Sequence, residues 1–171
     1  MKLPKPSTAL MLLAALALTS GCAARQREAF VHDKAHEHVY RAPLAEVWPH
    51  ARALLQEKGY SLMEAKGGFE AQTEWLQTSG ASSLGTTFQR YLMRGRERGP
   101  GQSSVEFYKM VRSESRGADN VDENGGRGGG MNTAQASNQS ILDLEMEWEL
   151  LQRVDPEAAK AYQAEAEQKF K

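Results

Sequence analysis

The sequence predicts an α+β fold: an antiparallel sheet of about four or five strands packed on one helix, followed by C-terminal helices. Three observations predict it. Leu44, Val47, Trp48, Ala51, Leu54 and Leu55 recur at intervals of three and four, which gives one apolar helix face. Residues 60–112 then alternate apolar and polar side chains in segments broken by glycine, the period of half-buried strands. Beyond residue 140, leucine, methionine and glutamate dominate, and these favour helix over strand.

In chain order, the helix is announced by Pro43, a favourable first helical residue because its missing N–H would have no partner there. Gly59 closes it, since glycine takes the left-handed C-terminal position without steric cost. Pro49, inside the periodic run, cannot donate to the carbonyl of Ala45 and predicts a kink or a looser first turn. Tyr60–Ala65 and Phe69–Leu76 read as strands joined by Lys66-Gly67-Gly68. In the second, Phe69, Ala71, Thr73 and Trp75 fall on one side, and Glu70, Gln72 and Glu74 on the other. Residues 77–85 are a serine- and glycine-rich loop. Thr86–Arg94 and Ser103–Arg112 form a second strand pair linked by Gly95–Gly101. In Ser103–Arg112 both faces are partly apolar, as in a central strand or one that meets a partner.

Residues 113–139 hold six glycines among asparagines, serines and acids, too little apolar surface to offset the entropy of ordering; a Gly-rich disordered loop is expected. Asn120–Gly125 echoes a calcium loop, but its first ligand is not Asp and its twelfth position is Met131. Gly126-Arg127-Gly128-Gly129-Gly130 lacks the spacing of a dinucleotide cradle. Past that segment the pattern is double. Leu142, Leu144, Met146, Trp148 and Leu150 alternate as in a strand, while Ile141, Leu144, Trp148, Leu151 and Val154 have helical spacing. Composition, together with Ser140 and Asp143 as a capping box, favours helix over 140–150. Asp155-Pro156-Glu157 restarts a final helix as cap, first-turn proline and first-turn acid, and Tyr162, Ala166 and Phe170 form its weak apolar stripe.

At the other end, Lys2 and Lys5 precede an apolar run from Ala9 to Leu18, the order of a secretory signal peptide over residues 1–21. The run is ten residues long, short of the about 20 that span a bilayer. Leu18-Thr19-Ser20-Gly21-Cys22 resembles the lipobox of bacterial lipoproteins, in which cleavage precedes a cysteine that carries a diacylglyceryl group and an N-acyl chain. The resemblance implies Cys22 as the site of lipid attachment. Ala23, in place of an aspartate, implies sorting to the outer membrane, facing the periplasm.

Composition excludes several functions. Lys2 and Lys5 lie ahead of Cys22, so residues 22–171 hold 19 basic and 22 acidic residues, a balance unlike that of a nucleic-acid binder. Cys22 is the one cysteine, so with lipid on it no thiol remains for a disulfide, a thiolate metal site or a nucleophile. Residues 22–37 read as a polar, lipidated tether. His32 and His36 have the i, i+4 spacing of a helical zinc site, but Asp33 stands where a metalloprotease carries glutamate, so no catalytic metal is expected. His50 reads as a surface residue, Glu145 and Glu149 as a solvated face, and Arg94, Arg96 and Arg98 as a basic patch in a hairpin loop that could meet acidic lipid or polysaccharide. Trp48, Trp75 and Trp148 read as core residues, with at most one lining a groove. No catalytic residues and no cofactor are expected, and the chain is not read as an enzyme.

Val39–Trp48, Leu54–Tyr60 and Gln72-Thr73-Glu74-Trp75 resemble the repeating domain of BamC-type lipoproteins, in which a strand leads into a helix carrying Val-Trp, then a Gly-Tyr turn and a strand ending near Thr-x-Trp. The resemblance covers about residues 40–110 and implies a helix-grip fold, an antiparallel sheet wrapped on one face around a helix, here over residues 38–112; the single copy of the domain, the glycine-rich insertion and the C-terminal helices expected over 140–171 depart from the family pattern. The anchor and the lack of catalytic residues point to a non-enzymatic interaction module with an envelope protein partner, and the resemblance implies an assembly-accessory role. The alternative is a periplasmic binding module whose sheet and helix enclose a lipid or a cell-wall fragment.

Overall fold

The computed structural model describes residues 23–64, 68–79, 86–114 and 139–171. Cys22, the Asn120–Met131 motif, the glycine run 126–130, and all of 113–139 except its two ends lie outside the described residues. The described chain is α+β and divides into two compact units.

The first is a sheet unit, Arg41–Asp143. Its helix α2 (Leu44–Glu57) follows helix α1 (residues 23–37) of the other unit. Helix α2 buries the six apolar residues of the predicted face. Pro43, expected as the first helical residue, stands one position before it, where its carbonyl accepts from the Glu46 N–H (2.9 Å), and the helix runs through Pro49 without a break. Pro49 and Ala45 both lie on the exposed side, so water can take the carbonyl that the proline leaves without a donor. Two backbone bonds close the helix, Tyr60 N–H to Leu55 (3.1 Å) and Gly59 N–H to Gln56 (2.9 Å), with Gly59 at φ +86°. This is the Schellman arrangement, which leaves a side chain at residue 59 strained.

Six strands follow: β1 (Leu62–Glu64), β2 (Glu70–Thr73), β3 (Leu76–Gln77), β4 (Thr86–Gly99), β5 (Gln102–Glu114) and β6 (Gln139–Leu142). All pair antiparallel in the order β1-β2-β4-β5-β6, and β3 also pairs with β4. Of the two positions that the pattern of Ser103–Arg112 leaves open, a central strand or one that meets a partner, β5 takes the first, between β4 and β6. Three departures from expectation concern the extent of strands. Phe69–Leu76, expected as one strand, is interrupted at Glu74-Trp75 and gives β2 and β3. Residues 95–99 and 102 are strand rather than loop, and the β4–β5 turn is only Pro100-Gly101, with Gly101 at φ +67°. Proline then glycine at the two central positions suits a tight turn. Residues 140–142, expected as the start of a helix, form β6 together with Gln139 on the free edge of β5. The double pattern there is used in succession: Leu142 ends a strand, and the helix begins at Leu144.

Helix α2 lies on the face that carries Ala71, Thr73, Tyr91, Met93, Val105 and Phe107, all buried. Leu44, Val47, Leu55, Met93 and Phe107 are 0–1% exposed, so side chains fill the space between helix and sheet. Gly95 lies on this face because a Cβ there would come within 2.8 Å of a Leu44 methyl.

The second unit is helical: α1, α3 (Leu144–Val154) and α4 (Pro156–Lys169). Helix α4 starts as predicted, with Asp155 accepting from the Ala158 N–H (3.0 Å) and Pro156 in the first turn. Residues 23–37, expected as a tether, are helical. Val31 and Ala35, at i and i+4, are 8% and 5% exposed, and Arg27 Nε donates to the Phe170 carbonyl (3.0 Å). A stripe only two residues wide satisfies a helix packed on a slender neighbour, yet is too sparse to register as a sustained period.

Candidate functional site

The face of the sheet turned away from α2 carries the surface with most chemical character. Register places Met63, Gln72, Leu92, Tyr108 and Leu142 in one row across β1, β2, β4, β5 and β6. Met63 is 51% exposed and the other four are half-buried, and no helix of the sheet unit covers them.

On the hairpin side of that row lies a ladder of charge. Arg94 Nε donates to Glu70 Oε1 (2.7 Å), and Arg94 also stands over the Tyr108 ring at 5.7 Å. Glu106 accepts from the Tyr108 hydroxyl (2.9 Å) and faces Arg96 (3.8 Å) and Arg98 (3.6 Å). Arg98 Nε donates to Ser104 Oγ (2.8 Å). The three arginines predicted as a basic loop patch therefore sit on β4, beside carboxylates on β2 and β5. Their partners are cross-strand neighbours in the register Glu70, Arg94, Glu106. The hydrogen bond to Glu106 raises the Tyr108 pKa, because loss of the proton would place two negative oxygens together.

On the other side is a cluster of rings and guanidinium groups. Trp75 holds Arg90 at 4.6 Å and Arg112 at 4.8 Å, and Arg112 lies 5.1 Å from the Phe88 ring. Arg90 makes no ion pair among the described residues; its guanidinium rests on the negative face of the indole. Trp75 was expected on the side of Ala71 and Thr73. The pairing explains the change. Gln72 faces Leu92 while Leu76 faces Gln89, four residues on one strand against three on the other, so one extra residue turns Trp75 to the opposite face. Thr73 Oγ1 supports the irregularity by accepting the Tyr91 N–H (2.8 Å) and donating to the Glu74 carbonyl (3.0 Å).

The polar groups on the α2 side are engaged with each other. Asp143, 6% exposed, accepts from the Tyr91 hydroxyl (2.7 Å) and pairs with Lys109 Nζ (2.8 Å), while its own N–H donates to the Phe107 carbonyl (2.8 Å). Tyr60 packs edge-on against Tyr91 at 4.9 Å. The cluster fastens the end of β6 to the two central strands. Asp143, read from sequence as a helix-capping residue, is thus a buried ionic partner, and only the strand register that sets Lys109 opposite Tyr91 could have revealed it.

The helical unit has its own polar cluster. His36 Nδ1 lies 2.8 Å from Glu147 Oε2, and His38 Nδ1 lies 3.1 Å from the Tyr162 hydroxyl, with Asp155 3.6 Å from His38 Nε2. Tyr40 is 4% exposed, and burial, aided by Glu147 and Asp155, raises its pKa strongly. Glu147, expected on a solvated face between Glu145 and Glu149, is 2% exposed. The buried arc of α3, Met146 to Leu151, is wide enough to include it. His36, one half of the suggested zinc pair with His32, is spent on Glu147, and His50 is exposed on α2. Among the described residues no three such side chains converge on a metal position, and no helix is long and apolar enough to cross a membrane. No family model and no curated protein matches the chain.

Proposed function

We propose that the chain is a lipid-anchored protein of the outer membrane, facing the periplasm, that acts as a non-enzymatic interaction or assembly-accessory module for an envelope protein. One observation carries the reading: the sheet face opposite α2 presents a mostly apolar and mostly half-buried row between a charge ladder and the Arg90–Trp75–Arg112 stack. Rings and arginines on a broad face are the residue types that anchor protein partners. Carboxylates near this face are held by arginines and a tyrosine, which leaves recognition rather than proton transfer as the role they support. The anchor rests on Cys22 and the residues before it.

Site-specific photo-crosslinking in envelopes tests the face. A photoreactive side chain at Leu92 or Leu142 should give a discrete protein adduct, and one at Gln56 on exposed α2 should not. Equal adduct patterns from both faces would overturn the reading. Mass spectrometry of the peptide beginning at Cys22 tests the anchor: acyl chains are expected there, and Cys22→Ser should leave the membrane fraction.

A further inference from the structure

We propose that the end of the helical unit formed by the start of α1 and the close of α4 is a membrane seat that binds anionic phospholipid headgroups. This deepens the anchored reading and rests on it for location. Residue 23 is already helical. One peptide step, about 3.8 Å between Cα atoms, separates it from Cys22, so an acyl group there would tether the bilayer within one residue of the helix start. Helix α1 runs antiparallel to α4: Arg27 near its start meets the Phe170 carbonyl (3.0 Å), while His38 beyond its end meets Tyr162 (3.1 Å). The first turn of α1 and the last residues of the chain are therefore brought to one end.

That end has the composition of a headgroup contact. Residues 23–27 and 168–171 contribute Arg25, Arg27, Lys169 and Lys171 and no acidic side chain; Glu28 and Glu167 follow directly and line the groove beside Arg27, so cations outnumber acids four to two there. Phe30 and Phe170 pack edge to face at 5.8 Å, with Lys169 4.7 Å from the first ring and 5.5 Å from the second, and Lys34 5.4 Å from Phe30. Both rings are only half-buried. Aromatic rings with cations over them suit the boundary between headgroups and water, and each cation near an anionic surface strengthens binding about fivefold at modest salt. The occupant is an anionic lipid surface rather than an acidic protein, because the covalent geometry puts this end within one residue of the proposed acyl chains.

The test uses the chain from residue 22 onward with Cys22→Ser, so that no acyl group contributes. It is sedimented with vesicles of phosphatidylethanolamine and phosphatidylglycerol, and separately with vesicles of phosphatidylcholine. Salt-sensitive binding to the anionic vesicles alone is expected, reduced about 25-fold by Arg25→Gln with Lys169→Gln and raised about fivefold by Gln26→Lys at an exposed position. The gain cannot come from misfolding. Binding that ignores lipid charge, absent binding, or indifference to these substitutions would overturn the seat. An unacylated Cys22 peptide from native membranes would instead overturn the anchor and leave the vesicle result standing.

Discussion

Alternate residues of the same strands build two unlike surfaces. Along β5, Ser103, Val105 and Phe107 point toward α2 and are buried, while Glu106, Tyr108 and Met110 point away and stay half-exposed. Along β4, Tyr91 and Met93 face the helix, while Arg90, Leu92 and Arg94 face away. One surface is saturated: its apolar groups are covered by α2 and its polar groups are paired within the unit. The other holds ion pairs and stacked cations among apolar groups that no helix of its unit covers. Stability is concentrated on the first surface, and recognition on the second.

The largest effect should come from breaking the covered side. Phe107 is 0% exposed, so Phe107→Ala removes a filled volume under α2 and should cost about 3–5 kcal/mol. Its neighbour Tyr108 is half-exposed on the other side, and Tyr108→Ala should cost about 1 kcal/mol or less. Urea unfolding of both variants checks the pair. Equal losses would mean that the two faces are not distinct in packing.

Glycine 95 sharpens the comparison at the scale of one methyl group. It lies between Arg94 and Arg96, both exposed, yet its missing side chain points at α2. A Cβ would stand 2.8 and 2.9 Å from the two Leu44 methyls and 3.0 Å from Phe69 Cβ. Gly95→Ala should therefore cost about 1–3 kcal/mol through overpacking. Gly99→Ala, where the nearest atom is the far end of the Gln102 side chain at 3.3 Å, should cost less. Thermal unfolding of the two variants separates them.

How far these surfaces could be read from sequence depends on whether the cause was local. The α2 stripe, its Gly59 stop, the Asp155 cap and the alternation of Ala71 and Thr73 are local, and each stands where the spacing puts it. Trp75 was misplaced because its face depends on a pairing slip between β3 and β4, which no single strand pattern contains. Arg96 and Arg98 looked like a loop because charge and glycine resemble a turn; the backbone pairing with Gln102–Val105 that makes this stretch a strand, and the carboxylates of Glu70 and Glu106 that hold the arginines, lie on other strands. Helix α1 was missed because only Val31 and Ala35 bury its face. Glu147 looked solvated because its partner His36 is 111 positions away.

The smallest effect separates the two faces by pH. Tyr60, 8% exposed beside Tyr91, has its pKa raised chiefly by burial, with Asp143 adding and Lys109 and Lys58 opposing. Tyr108 is raised chiefly by its hydrogen bond to Glu106. In both cases the folded state holds the phenolic proton more tightly than the unfolded state does. Their contribution is thus full below the unfolded tyrosine value, about 10, and is lost as pH rises through the higher folded values. Each such tyrosine can lower stability by at most about 1.4 kcal/mol per pH unit in that window. Tyr40, raised in the helical unit, adds to the same alkaline loss, so each variant is read as a change in slope against the unsubstituted chain. Tyr60→Phe should flatten the decline above pH 10 visibly, since a ring closed off from water keeps its proton. Tyr108→Phe should flatten it less, because solvent screens a hydroxyl on the open face. Unfolding free energies measured from pH 8 to 11 decide the order, and a larger change for Tyr108→Phe would place the stronger electrostatic constraint on the face assigned to recognition.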